Sequence, residues 1–332
     1  MRHTRMWFAL LLTGTLCLAA GCGMQDRMLA ASGGLLLQGF DSLAYPGQTV
    51  TISARLQGGD YLKGMEGYLV GFYRLDHKIG DVRTDQDGLA EMAYTPPSPG
   101  NHVILARLED PDIRKFAIEA VEIVVAAHSR TDPMVVVDLD QTLVASGFGE
   151  VLAGKAEPMP QSGRVMHRLA ESNTVIYLTH RPDIFTEQSK RWLRKYNYPT
   201  GPVLTSTLSE FFKGSGPFKS AAIADLKKVF PGIATGIGDK PSDAQAYVAN
   251  GMKAVLIIHP DAMKTPGAIR RWIRDLGGVP EGVEVVESWT MVEKALFEGR
   301  RFSASEALGR LEVLVRQREA DALGKEPAEG GP

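Results

Sequence analysis

The chain of 332 residues is long enough for more than one hydrophobic core, and 44% hydrophobic with 23% charged residues is the make-up of an ordinary globular protein. A net charge of -2 supplies no basic excess, which excludes broad charge-driven binding of nucleic acid and leaves room only for a local basic patch. The only two cysteines, Cys17 and Cys22, lie near the start, so the body of the chain can form no internal disulfide and has to be held by its cores.

In chain order, Arg2 and Arg5 precede an apolar run over residues 6–18 and then Ala19-Ala20-Gly21-Cys22. This is the pattern of a secretory signal, too short and wrongly flanked for a permanent membrane span. The small residues before Cys22 resemble the lipobox of bacterial lipoproteins, although Ala19 stands where leucine is usual. That resemblance implies a signal peptide over 1–22, lipidation at Cys22, and an exported chain anchored in the cell envelope on the periplasmic side of a membrane. A plain signal peptide cut near Gly21 is the alternative. Residues 23–34 read as a tether.

From 35 to 127 the texture is all-β. Val50, Ile52, Ala54 and Leu56 alternate with Thr51, Ser53 and Arg55, the period of a half-buried strand. Short runs follow at 68–75, 89–94, 102–108 and 120–125, separated by turn signals such as Pro46-Gly47, Gly58-Gly59-Asp60, Asp87-Gly88 and Pro97-Ser98-Pro99-Gly100. Strands at this spacing predict an immunoglobulin-like β-sandwich. The stretch 84–90 resembles a recurrent hairpin of bacterial immunoglobulin-like domains. Its aspartates suit a tight turn more simply than a calcium site. Nothing in this half carries chemistry, and its partner is not readable.

A polar linker, residues 128–133, leads to alternating strands and helices. This pattern predicts an α/β fold, a Rossmann-like three-layer αβα domain with a mainly parallel sheet over 133–300. Helices are expected around 165–169, 185–196, 220–229 and 243–250, and strands at 174–178, 202–204, 233–237 and 254–258. Residues 301–332 read as an amphipathic helix over 303–322 and a disordered end.

The chemistry starts at Met134-Val135-Val136-Val137-Asp138-Leu139-Asp140-Gln141-Thr142, an apolar run without alternation that suits a strand covered on both faces and delivers two carboxylates at its end. The second strand ends in Thr179-His180-Arg181. Lys219 precedes the next helix, and a later strand ends in Gly238-Asp239-Lys240-Pro241-Ser242-Asp243. All these groups fall at the carboxyl edge of one sheet, where open α/β sheets bind ligands. Two carboxylates at the end of a buried strand repel each other unless a cation is present.

This ordered set resembles the haloacid dehalogenase (HAD) superfamily over about residues 133–260. Within it, Leu178-Thr179-His180-Arg181-Pro182-Asp183, Trp192-Leu193 and the Asp239 to Tyr247 segment are most similar to the lipin-related domain of phosphatidate phosphatases and of certain phosphatidylinositol transfer proteins. Gln141 replaces a glycine common in lipins, and His180 a small residue.

The resemblance implies a Mg²⁺-dependent phosphatase. Asp138 would be the nucleophile, Asp140 the general acid and base, and Thr179 and Lys219 would hold the phosphoryl group. Asp138, the Asp140 backbone carbonyl, Asp239 and Asp243 would hold the ion. His180 and Arg181 would touch a head group or serve as plain loop residues; Asp243 could instead cap a helix, and Lys219 could be a surface residue. Roughly forty residues separate Asp140 from Thr179 and Thr179 from Lys219, too few for a folded cap domain, which leaves an open site suited to bulky substrates. The expected substrate is phosphatidate or another lipid phosphate at a membrane surface. The alternatives are a general phosphatase on soluble phosphomonoesters and a non-catalytic phospholipid-binding module.

Overall fold

A computed structural model describes residues 34–59, 62–110, 118–146, 150–151 and 155–323. The signal sequence, Cys22, most of the tether and the last nine residues lie outside the described residues.

The first half forms two facing sheets. One pairs β1 (Leu35–Phe40), β3 (Val50–Gly58), β4 (Lys63–Gly64) and β7 (Leu89–Tyr94). The other runs β2 (Ser42–Ala44), β9 (Val121–Ala127), β8 (Gly100–Leu108), β5 (Leu69–Arg74), β6 (His77–Arg83). The predicted alternation holds in β3, where Ile52, Ala54 and Leu56 are buried and pack with Phe72, Ile104 and Ile123 of the opposite sheet. At the expected hairpin, the Asp85 side chain accepts from the N–H groups of Asp87 and Leu89, and Gly88 has φ +77°. A turn therefore accounts for Asp85.

Two strands go beyond the expectation. β6 is an exposed edge strand carrying His77, Lys78, Asp81 and Arg83, so it has no hydrophobic alternation to betray it. β2 pairs with β9 in parallel, which brings Leu43 against the core of the second half.

The second half is mixed α/β around a six-stranded sheet with every pair parallel, ordered β12 (Val203–Ser206), β11 (Thr174–Pro182), β10 (Met134–Val137), β13 (Ile233–Gly238), β14 (Lys253–Ile257), β15 (Glu284–Val286). Its helices are α1 (Ser162–Ala170), α2 (Thr186–Lys195), α3 (Leu208–Phe211), α4 (Ser215–Val229), α5 (Pro241–Ala249), α6 (Pro266–Leu276), α7 (Trp289–Phe297) and α8 (Ala304–Leu323). The unbroken apolar run of β10 is explained by cover on both faces. Val135 and Val137 join one core with Trp192, Leu193 and Trp289, while Met134 and Val136 join the other with Phe218, Ile223 and Tyr247. Each such valine contributes about 1.5–3 kcal/mol on burial. The chain adds strands on one side of β10, then crosses to β13 on the other, which creates a switch point at the carboxyl ends of β10 and β13.

The two halves meet through buried polar contacts. Lys190 on α2 donates to the Asp41 carboxylate at 2.7 Å and to the carbonyls of Gly39 and Glu122 at 2.9 and 2.7 Å. Asp41 also accepts from the N–H groups of Val124 and Val203, both at 2.8 Å. Nearby, Arg55 pairs with Asp183 at 2.6 Å, and the Gln38 amide donates to the Asp183 carbonyl.

Candidate active site

Asp138 follows β10 directly, its N–H bonded to the carbonyl of Ile237 on β13, so the switch point itself fixes its position. Its carboxylate, 2% exposed, faces the Lys219 ammonium at 3.1 Å. Lys219 is fully buried and reaches Asp243 at 2.8 Å on its other side. Both bland alternatives fail on this geometry. Lys219 is no surface residue, and it sits in the second turn of α4, not ahead of it, because the helix starts at Ser215 and admits Pro217 within its first turn. Asp243 lies in the first turn of α5, whose N-cap is Lys240 without a side-chain cap bond.

Asp239 follows β13 and is also buried. Ligand oxygens of Asp138, Asp239 and Asp243 all lie within 4.8 Å of one another. The crowding depends on glycine. A Cβ at Gly238 would stand 2.7 Å from an Asp243 oxygen, and one at Gly236 would stand 2.3 Å from the Tyr247 ring.

Electrostatics divide the three acids. Burial pushes Asp138 up, but Lys219 and then Lys240 outweigh it and hold the carboxyl below its usual value. Burial and the adjacent Asp138 push Asp239 well above the usual carboxylate range. Burial also raises Asp243, with Lys219 opposing. For Lys219, burial favours the neutral amine, yet Asp138 and Asp243 prevail and its ammonium is held well above the ordinary value. Two cations, Lys219 in direct contact with Asp138 and Asp243 and Lys240 at longer range, thus act on three close carboxylates. The Asp239 Oδ1 atom is buried without a hydrogen-bond partner. An all-oxygen donor set with surplus negative charge and an orphaned oxygen fits a hard divalent cation such as Mg²⁺.

Thr179, on β11 and buried, is carried to the same edge. Asp140 is partly exposed and lies apart from the acidic triad, its two oxygens accepting from Arg181 at 3.0 and 2.7 Å. Arg181 also donates to the Ser189 hydroxyl at 2.8 Å and is itself buried. This corrects the expectation of a head-group contact: the guanidinium orients Asp140 and is not presented to solvent. His180 is half-buried, stacked on Phe211 at 4.9 Å and tilted against Phe218 at 5.7 Å, and burial lowers its pKa.

Two supports were not read from the sequence. Gln141 adopts φ +55°, the left-handed region, and its carbonyl accepts from His259 Nε2–H at 2.6 Å. The Trp289 indole donates to the Thr142 carbonyl at 2.7 Å. His259 lies just past β14, and only the strand order β10-β13-β14 brings it back to the loop after β10.

Residues 135–258 match a family model described as "PITM 1-3, LNS2 domain". No curated protein matches the chain. Among solved structures, a protein described as a HAD-like phosphatase from Mesorhizobium loti is 14% identical over 56% of this chain and 87% of its own, with a TM-score of 0.35. A chain of the Pnkp1/Rnl/Hen1 RNA repair complex is 15% identical over 40% of this chain and 44% of that one, also at 0.35. The D0-D1 domain of intimin is 19% identical over 29% of this chain and 47% of that one, at 0.21. This chain thus spans less than half of the RNA repair and intimin chains it resembles. The family match supports a phosphatase of the HAD-like fold.

Proposed function

We propose that the chain is a Mg²⁺-dependent phosphomonoester hydrolase that acts through an aspartyl phosphate, with phosphatidate or another lipid phosphate at a membrane surface as its substrate. The observation that carries this reading is the buried Lys219 held between Asp138 and Asp243, with Asp239 completing three converging acids at a sheet switch point. A structural ion pair needs one carboxylate, and a third one costs energy unless the site has a use for it.

In the reaction, an Asp138 oxygen bonds to phosphorus as the ester oxygen departs, and Asp140 passes a proton to that oxygen. Water then attacks the acyl phosphate, Asp140 takes its proton, and inorganic phosphate leaves with Asp138 restored. Both Asp140 oxygens accept from Arg181, so proton transfer requires the guanidinium to release one of them. Thr179 would donate to a phosphoryl oxygen and Lys219 would neutralise phosphate and nucleophile together. Asp138, Asp239, Asp243 and the Asp140 carbonyl would hold Mg²⁺, which supplies charge neutralisation for the anionic ester.

The lipid assignment is supported by the LNS2 family match and by the short elements between the motifs: the end of β11, a 3-10 turn at Asp183–Phe185, α2, β12, α3 and the first turn of α4 lie between Thr179 and Lys219. The lipobox at Cys22 would place the enzyme at an envelope membrane, and the immunoglobulin-like reading of the first half stands with that proposal. A panel of phosphatidate vesicles and soluble phosphomonoesters, each with Mg²⁺ and with EDTA, tests the reading. Phosphate release from phosphatidate, abolished by EDTA, is expected. Because protons compete with the cation for the triad, more Mg²⁺ should be needed for half-maximal activity as pH falls. Release from soluble esters alone would make the enzyme a general phosphatase, and vesicle binding without any turnover would make it a binding module.

A further inference from the structure

Next to the phosphate edge lies a small surface that the reaction does not use. Leu208 is 52% and Phe212 73% exposed, the two most exposed large apolar side chains among the described residues of the α/β half. They are four residues apart on α3 and its C-cap, so they share one side of the turn. The turn is firmly built. Thr207 and Glu210 form a reciprocal capping box, and Phe211, between the two exposed residues in sequence, points inward to stack on His180 beside Thr179. Lys213 follows and is exposed, as is Lys240, whose charge reaches Asp138 across the same edge. The Glu210 carboxylate is occupied by the Thr207 N–H and hydroxyl.

We infer that Leu208, Phe212 and Lys213, with Lys240 at the site, form a contact surface for an anionic lipid bilayer. This deepens, and rests on, the reading of the neighbouring edge as a lipid-phosphate site. Two apolar tips on one helical turn offer far less area than the roughly 1,000 Å² that a specific protein interface needs. A phenyl ring and an isobutyl group flanked by lysines suit the boundary between head groups and acyl chains, where apolar tips insert and ammonium groups meet anionic lipid. Docked this way, the carboxyl edge of the sheet faces the membrane, and a lipid phosphate reaches Asp138 without leaving the bilayer.

The test uses the full chain, with Phe212→Trp as a local probe and the parent protein as reference for the native tryptophans. Vesicles of brominated phosphatidylcholine, with and without phosphatidylserine, are added and indole quenching is followed. Quenching beyond that of the parent is expected on the vesicles containing phosphatidylserine, and Lys213→Glu should reduce it. In parallel, Leu208→Ser/Phe212→Ser should lower turnover of vesicle-borne phosphatidate roughly tenfold and leave turnover of a soluble ester within about twofold. No quenching beyond the parent on either vesicle, or equal losses on both substrates, would overturn the surface assignment. Failure of the parent protein to hydrolyse any ester would instead sink the phosphatase reading, and the quenching result would still stand on its own.

Discussion

Replacing Asp138 with asparagine should lower phosphate release by on the order of 10⁴-fold or more with every substrate, since an amide oxygen cannot form the acyl phosphate and no neighbouring group stands in for it. The variant should still fold. Lys219 keeps Asp243 at 2.8 Å, and removal of one negative charge relieves the crowding with Asp239 and Asp243. Residual activity near the parent level would show that Asp138 is only a structural partner of Lys219. The Asp140→Asn variant separates the two roles. It should form the phosphoenzyme yet turn over slowly, because the leaving oxygen lacks its proton donor and the attacking water lacks its base.

The second large effect is expected at the junction of the two halves. Asp41→Ala should destabilise the protein by about 3–5 kcal/mol, read by chemical denaturation, because it leaves the Lys190 ammonium buried without its closest counter-charge. The substitution also strips acceptors from the N–H groups of Val124 and Val203. Lys190→Met should cost a comparable amount, and Asp41→Leu/Lys190→Met should cost clearly less than the sum, since neither charge is then stranded. Strict additivity would mean that the pair does not act as a unit. The consequence is not confined to stability. Lys190 shares α2 with Ser189, which holds Arg181, which in turn orients Asp140. The all-β half is thereby wired to Asp140 through one helix.

Much of the catalytic edge was legible because its signals are local. Four apolar residues before Asp138 require cover on both faces, Thr179 follows the apolar run 175–178 within β11, and Asp239 directly follows β13. The expected helix over 220–229 leaves Lys219 ahead of it, whereas α4 starts at Ser215 because proline in a first helical turn removes no hydrogen bond. For Arg181 the sequence leaves a head-group contact and a loop role open, because it cannot say that Asp140 and Ser189 both claim the guanidinium. The junction was invisible for a plainer reason: Asp41 and Lys190 are 149 positions apart, and no spacing rule links a carboxylate before one sheet to a lysine on a helix of another. Charged β6 was missed as strand because an edge needs no apolar face.

On the proposed mechanism, Asp138 carries the phosphoryl group during turnover. The most direct test is to quench the Mg²⁺-loaded full chain in acid while it turns over a radiolabelled phosphomonoester, digest it, and locate the label. Label is expected on the peptide containing Asp138, and none in Asp138→Asn. Label on another residue, or phosphate release with no covalent label at any quench time, would contradict that mechanism.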